Sequence, residues 1–260
     1  MNRVIGIVGG LGPHAHIELE RRLLAAVAEP GGDQTYPEWV VSSIPQTPDR
    51  TAALLEGGPS PLPWLVRSLE RLAVCCDFAV IACVTAHAFL AEARAQVSLP
   101  VLDLVEVTLR AAAELSASPG RIGVLATTGA LRSGIYARGL QRVAPHLELL
   151  SLLDLPEGED LQEELLMRPV YGPLRGGRRL RGGVKSGGDR DPETGVSHHD
   201  TFAAAVRRLA AAGATCVVTG CTEIPIALGR DPVDGISLLD PLDLAARAAV
   251  RIARGELPLP

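Results

Sequence analysis

The chain has 260 residues, 47% of them hydrophobic but only 3% aromatic, with 27 glycines and 20 prolines. That length holds one large α/β domain or two smaller ones, and apolar content made of Ala, Leu and Val suits helices on buried parallel strands better than an aromatic-rich β-sandwich. A formal charge of -5 gives no basic footprint for nucleic acid, and no segment reaches the roughly 18 uninterrupted apolar residues of a membrane span.

The first apolar run, residues 4–8, is too short for a signal peptide. The 5 cysteines are therefore expected to be reduced thiols of a cytoplasmic protein and not a disulfide framework. This run leads into Gly9-Gly10-Leu11-Gly12-Pro13 and reads as a buried strand, a turn and a helix start. A second strand is expected near 40–44, a helix over 62–74, and a strand over 78–82 that feeds Cys83-Val84-Thr85. Leu102-Asp103 then ends a strand and opens a helix.

The pattern begins again at 121–126, which leads to Thr127-Thr128-Gly129. A helix over 201–212 precedes a strand over 215–219 that feeds Gly220-Cys221-Thr222, and Leu239-Asp240 opens the last helix. Ile5-Gly6-Ile7-Val8 corresponds to Ile122-Gly123-Val124-Leu125, and Ala82-Cys83-Val84-Thr85 to Gly220-Cys221-Thr222-Glu223. A long period used twice predicts a duplicated α/β unit: two similar domains, each a parallel sheet flanked by helices, related by a pseudo-two-fold axis with the site between them. The expected bounds are 1–104 with 224–260, and 105–223, the latter carrying a Gly- and Arg-rich insertion near 173–200. Each domain would present one thiol at the carboxyl end of its strands, where open α/β sheets bind ligands.

A cysteine that follows a strand and precedes a helix feels the positive end of the helix dipole, which favours its thiolate. Cys83 and Cys221 share that position, and His87, four residues after Cys83, is expected to support its thiolate. Racemisation needs a base on one face of a carbon and an acid on the other, with roles exchanged for the reverse direction. Two matched thiols meet that need. Cys75, Cys76 and Cys216 sit inside helix or strand patterns and read as small buried hydrophobes. Gly10-Leu11-Gly12-Pro13-His14-Ala15 fits a loose dinucleotide fingerprint, but the second strand ends in Ser42-Ser43 with no acid for a ribose. His198-His199 and the cysteines lack paired zinc-ligand spacing, so neither cofactor nor metal is expected.

In their order, several segments resemble the aspartate/glutamate racemase family, especially its aspartate racemase branch. They are 5–13, Pro45-Gln46-Thr47-Pro48-Asp49-Arg50-Thr51, Cys83-Val84-Thr85-Ala86-His87, Tyr171-Gly172, Gly183-Val184-Lys185-Ser186-Gly187 and Gly220-Cys221-Thr222-Glu223-Ile224-Pro225. The resemblance implies a pyridoxal-free two-base mechanism on a small carboxylate, in a dimer. It puts the catalytic thiols at Cys83 and Cys221, substrate contacts at Leu11, Gln46, Arg50, Val84, Thr85, Lys185 and Thr222, and a supporting role at Glu223. Arg50 offers a planar fork for a carboxylate and Lys185 a point charge. Relatives on this scaffold also perform cis–trans isomerisation, decarboxylation or hydantoin racemisation, and a degenerate relative could bind an acid without turnover.

The chain departs from the family pattern in four places. Val84 stands where Asn is usual, Leu11 where Met is common and His16 where Thr is usual. Residues 173–182, with Arg175, Arg178, Arg179 and Arg181, separate two motifs that are normally almost adjacent. The region from there through Asp200 reads as a long flexible loop, either solvated or acting as a basic flap over an anionic substrate.

Overall fold

The computed structural model describes residues 2–27, 31–116 and 120–260. Two compact units divide the chain: Met1–Val107 with Pro241–Pro260, and Thr108–Asp240. In the first unit lie β1 (Ile5–Gly9), β2 (Trp39–Ser43), β3 (Phe78–Ile81) and β4 (Val101–Leu102), all parallel, in the order β2-β1-β3-β4. β1 and β3 are buried at every position, as strands covered by helices on both faces must be. Leu65, Leu69 and Leu72 of the helix Leu62–Leu72 join Ile81, Leu90 and Val101 in one apolar core. The last helix, Pro241–Ala253, returns to this unit and packs on the helix Pro13–Ala26.

The second unit holds β5 (Arg121–Leu125), β6 (Glu148–Ser151), a short antiparallel hairpin of β7 (Leu174–Arg175) and β8 (Arg178–Arg179), then β9 (Ala214–Thr219) and β10 (Ser237–Leu239). Its four-stranded parallel sheet runs β10-β9-β5-β6. When β5 is matched to β1, β6 to β2, β9 to β3 and β10 to β4, the two sheets have the same order. The repeat read from the sequence is therefore a repeat of topology. Its matched glycines have a packing reason: a Cβ on Gly6 would lie 3.2 Å from Leu72 and from the Phe78 carbonyl, and one on Gly123 2.9 Å from Val217.

The domain bounds expected from the sequence are corrected at the second crossing. The chain returns to the first unit at Pro241 and not at 224. The helix Glu223–Leu228 leads into β10, and β10 pairs with β9 through Ser237, Leu238 and Leu239, so both stay with the second unit. The first crossing, at 107/108, lies inside the helix Leu104–Leu115.

The insertion is also not the loose loop its composition suggests. Gly172, Gly183 and Gly188 sit where a Cβ would lie 2.1 Å from the Leu180 carbonyl, 2.5 Å from the Val170 carbonyl and 1.9 Å from the Gly182 carbonyl, so backbone packs directly on backbone. Arg168 donates from Nε and Nη2 to Asp191 (2.6 and 3.1 Å), and the same carboxylate accepts the N–H groups of Glu193 and Thr194. His198 Nε2–H donates to the Gly182 carbonyl (2.7 Å). Arg175 pairs with Glu193 and Arg179 with Glu163, so two of the four arginines expected on a basic flap are neutralised within the unit.

The Arg168 guanidinium, followed by backbone N–H groups, holds the Asp191 carboxyl well below the usual carboxylate range. A depressed folded pKa means stabilisation present above the unfolded value of about 4 and lost as pH falls through the folded one. Asp191→Asn should therefore cost about 2 kcal/mol at neutral pH and remove part of the acid sensitivity. Urea midpoints measured at neutral and acidic pH test this; equal midpoints for both proteins at neutral pH would count against the latch.

Candidate active site

In the first unit, the expected site residues gather after the carboxyl ends of β1, β2 and β3. Gly10 has φ 80° and a Cβ there would lie 2.5 Å from the Ile44 backbone, so only glycine lets the turn after β1 close on the end of β2. Arg50 begins the helix Arg50–Leu55 and is 5% exposed. Its Nη2 donates to the Leu11 carbonyl (2.6 Å) and its Nη1 to those of Pro48 (2.8 Å) and Thr47 (3.4 Å). The fork that sequence reasoning reserved for a carboxylate thus ties the Leu11 turn to the loop before its own helix. Leu11 is buried in the core, whereas Gln46 is exposed in the turn after β2.

Cys83 follows β3 after Ala82 and is 8% exposed, with its N–H on the Ile81 carbonyl (2.7 Å). Val84, at 2%, is still more buried, and Thr85 opens a short 3-10 turn, Thr85–Phe89. His87 does not serve the thiolate as expected. The Leu104 N–H donates to its Nε2 (3.2 Å), so Nδ1 carries the proton and donates to the Cys83 carbonyl (3.0 Å). Burial lowers its pKa and keeps it neutral. His87 is a clamp between the thiol turn and the helix Leu104–Leu115, whose own N-terminus Asp103 caps through the N–H groups of Val105 and Glu106.

In the second unit, Cys221 occupies the equivalent place after β9. Its S–H donates to Glu223 Oε2 (3.0 Å), and the Thr222 hydroxyl donates to the same oxygen (2.9 Å). The helix dipole does not prevail here. Burial first, then the Glu223 charge and hydrogen bond, push the thiol well above its ordinary value, with Lys185 opposing them. Cys221 therefore rests protonated, its S–H held by the Glu223 carboxylate. Lys185 lies in the turn Val184–Ser186, its Nζ 4.4 Å over the centroid of the Tyr171 ring.

Sequence reasoning missed the side chains that brace this turn. Tyr136, fully buried, donates to the Gly220 carbonyl (3.3 Å), and a Cβ at Gly220 would lie 2.1 Å from its hydroxyl. Buried Gln162 donates to the Ala126 carbonyl (2.9 Å) and the Thr128 hydroxyl (3.3 Å), fixing the end of β5. Neither residue belongs to a motif, and the only hint in the sequence was the glycine before Cys221. Cys216 is buried as expected, but Cys75 is exposed and Cys76 half-buried, because residues 73–76 form a turn and not the end of a helix. Among the described residues, no cluster of three or more His, Cys, Asp or Glu side chains could hold a metal, and no helix is long and apolar enough to cross a membrane.

The family model described as Asp/Glu/Hydantoin racemase matches residues 8–249. The chain belongs to this family. A glutamate racemase from Geobacter metallireducens is 30% identical over 180 residues, 68% of this chain and 56% of that protein. The match thus spans little more than half the length of that relative. An aspartate racemase from Picrophilus torridus shares the fold, with a TM-score of 0.74 at 20% identity over 97% of this chain and 94% of that one. An aspartate racemase homologue from Pyrococcus horikoshii gives 0.67 at 18% identity, over 98% and 100%. Both thiols of this chain lie just beyond strand ends, the place where open α/β sheets bind ligands.

Proposed function

We propose that the protein is a cofactor-independent racemase or epimerase of an amino acid or related carboxylate, moving the α-proton between Cys83 and Cys221. The observation that carries this reading is the matched placement of two buried thiols, each following the equivalent strand of two sheets with the same order. A single buried cysteine is ordinarily packing; two in equivalent turns answer the need for an acid and a base.

Cys221 begins as the acid, because its proton is held and shared toward Glu223. Cys83 takes the α-proton, and Cys221 protonates the opposite face of the carbanion. In the reverse direction the Cys221 thiolate left by this step is the base and Cys83, which now carries the proton, is the acid. Lys185 supplies positive charge for a carboxylate, which the carbanion needs because it adds negative charge beside one. Arg50 contributes its charge and holds the Leu11 turn through the backbone. Leu11, Gln46, Val84, Thr85 and Thr222 complete the contacts, in a dimeric cytoplasmic enzyme.

Val84 favours a substrate other than plain aspartate. A buried valine makes none of an amide's hydrogen bonds, and leaving a polar substrate group unpaired costs about 1–3 kcal/mol. Incubation with dicarboxylic and neutral amino acids in deuterated water should show α-proton loss for at least one carboxylate, with aspartate a poor substrate. Val84→Asn should raise aspartate turnover roughly tenfold, corresponding to about 1.4 kcal/mol. No exchange with any member of a broad panel would favour a relative that binds an acid without turnover. Efficient aspartate exchange by the unaltered protein, with no gain in Val84→Asn, would remove the specificity argument.

A further inference from the structure

Cys75 and Cys76 lie in the turn between the helix Leu62–Leu72 and β3, at the opposite end of that strand from Cys83. The four residues of that strand alone separate the two places by on the order of 13 Å. The turn is held on both sides. The N–H groups of Cys75 and Cys76 both donate to the Leu72 carbonyl (3.1 and 2.8 Å). Asp77 exchanges bonds with Val4, its N–H to the Val4 carbonyl (3.0 Å) and its carboxylate from the Val4 N–H (2.6 Å). On this fixed turn the two Sγ atoms stand 3.9 Å apart, and Cys75 is exposed.

We propose that Cys75 and Cys76 form a two-thiol binding site for a trivalent arsenical, which both sulfurs hold at once. A direct disulfide suits the pair poorly. Consecutive Cα atoms are about 3.8 Å apart, below the roughly 4.4–6.8 Å that a disulfide bridges. A bridging atom removes that conflict, since bonds of about 2.3 Å, the length of a metal–thiolate bond, reach both sulfurs from their present separation. A divalent cation suits it less well than an arsenical, because a cation must displace protons as thiolates form. Burial, then the hydrogen bond and charge of Cys75, push the Cys76 thiol up to about 12.

Condensation with an arsenical needs no prior deprotonation. Two As–S bonds form, two As–O bonds break, and each thiol proton leaves with a hydroxide as water. Arsenic stays trivalent, so no oxidant or reductant takes part. The second bond closes within one molecule, so the chelate should hold roughly a hundredfold or more tighter than an adduct on one thiol.

The test is intact-protein mass spectrometry of the full chain with phenylarsine oxide near equimolar concentration. One phenylarsenic group per chain, with loss of two thiol hydrogens, is expected in the unaltered protein and in the Cys83→Ser/Cys221→Ser double variant. Cys75→Ser and Cys76→Ser should each lose the tight adduct while keeping the unaltered protein's circular dichroism spectrum. An adduct that persists in Cys75→Ser, disappears with the Cys83→Ser/Cys221→Ser pair, or never forms would overturn the assignment. Because the double variant keeps this site intact, failure here and failure of the racemase reading are distinguishable.

Discussion

Cys83→Ala and Cys221→Ala are each expected to lower racemisation by about a thousandfold, the scale set by removing a positioned general acid or base. The fold should survive, since each thiol is a small buried group (8% and 7% exposed) and alanine leaves only a modest void. The two variants should differ in a second measurement. Each keeps one thiol, so each should still exchange the α-proton of one enantiomer in deuterated water while failing to invert it. If they retain exchange, they should retain it for opposite enantiomers. Near wild-type racemisation in either variant would sink the two-base assignment, whatever substrate is used.

The second large effect concerns Glu223. Its Oε2 accepts from both the Cys221 thiol and the Thr222 hydroxyl, and its charge is among the causes that hold the thiol proton in place. Glu223→Gln keeps the shape and removes the charge. The Cys221 thiol should then ionise at lower pH than in the unaltered protein, seen as earlier growth of thiolate absorbance in the ultraviolet. The rate should nevertheless fall by about a hundredfold, because the thiol loses the carboxylate that holds and orients its proton. Glu223→Asp should recover part of that loss. A Gln variant with an unchanged rate and an unchanged thiol titration would mean that Glu223 only packs.

The sequence by itself was enough for the α/β class and the duplication. Apolar runs ending in small residues, repeated in the same order, are a local signal, and parallel strands buried on both faces write it plainly. It also singled out the two thiols, since the motif around each is contiguous in the chain. Tertiary structure decided what those motifs could not contain. β10 belongs with β9 because of a strand pairing, which moved the domain crossing to Pro241. His87 became a clamp because Leu104, distant in the chain, donates to its ring, and Arg50 became a strut because the Leu11 carbonyl lies within reach. The insertion looked flexible from its glycines and arginines, yet those glycines permit backbone contact and two of those arginines find carboxylates. Cys221 inverted the expected electrostatics for the same reason. A strand-to-helix turn predicts a dipole, but burial and one carboxylate within hydrogen-bonding distance outweigh it, and burial is a property that only the packed chain possesses.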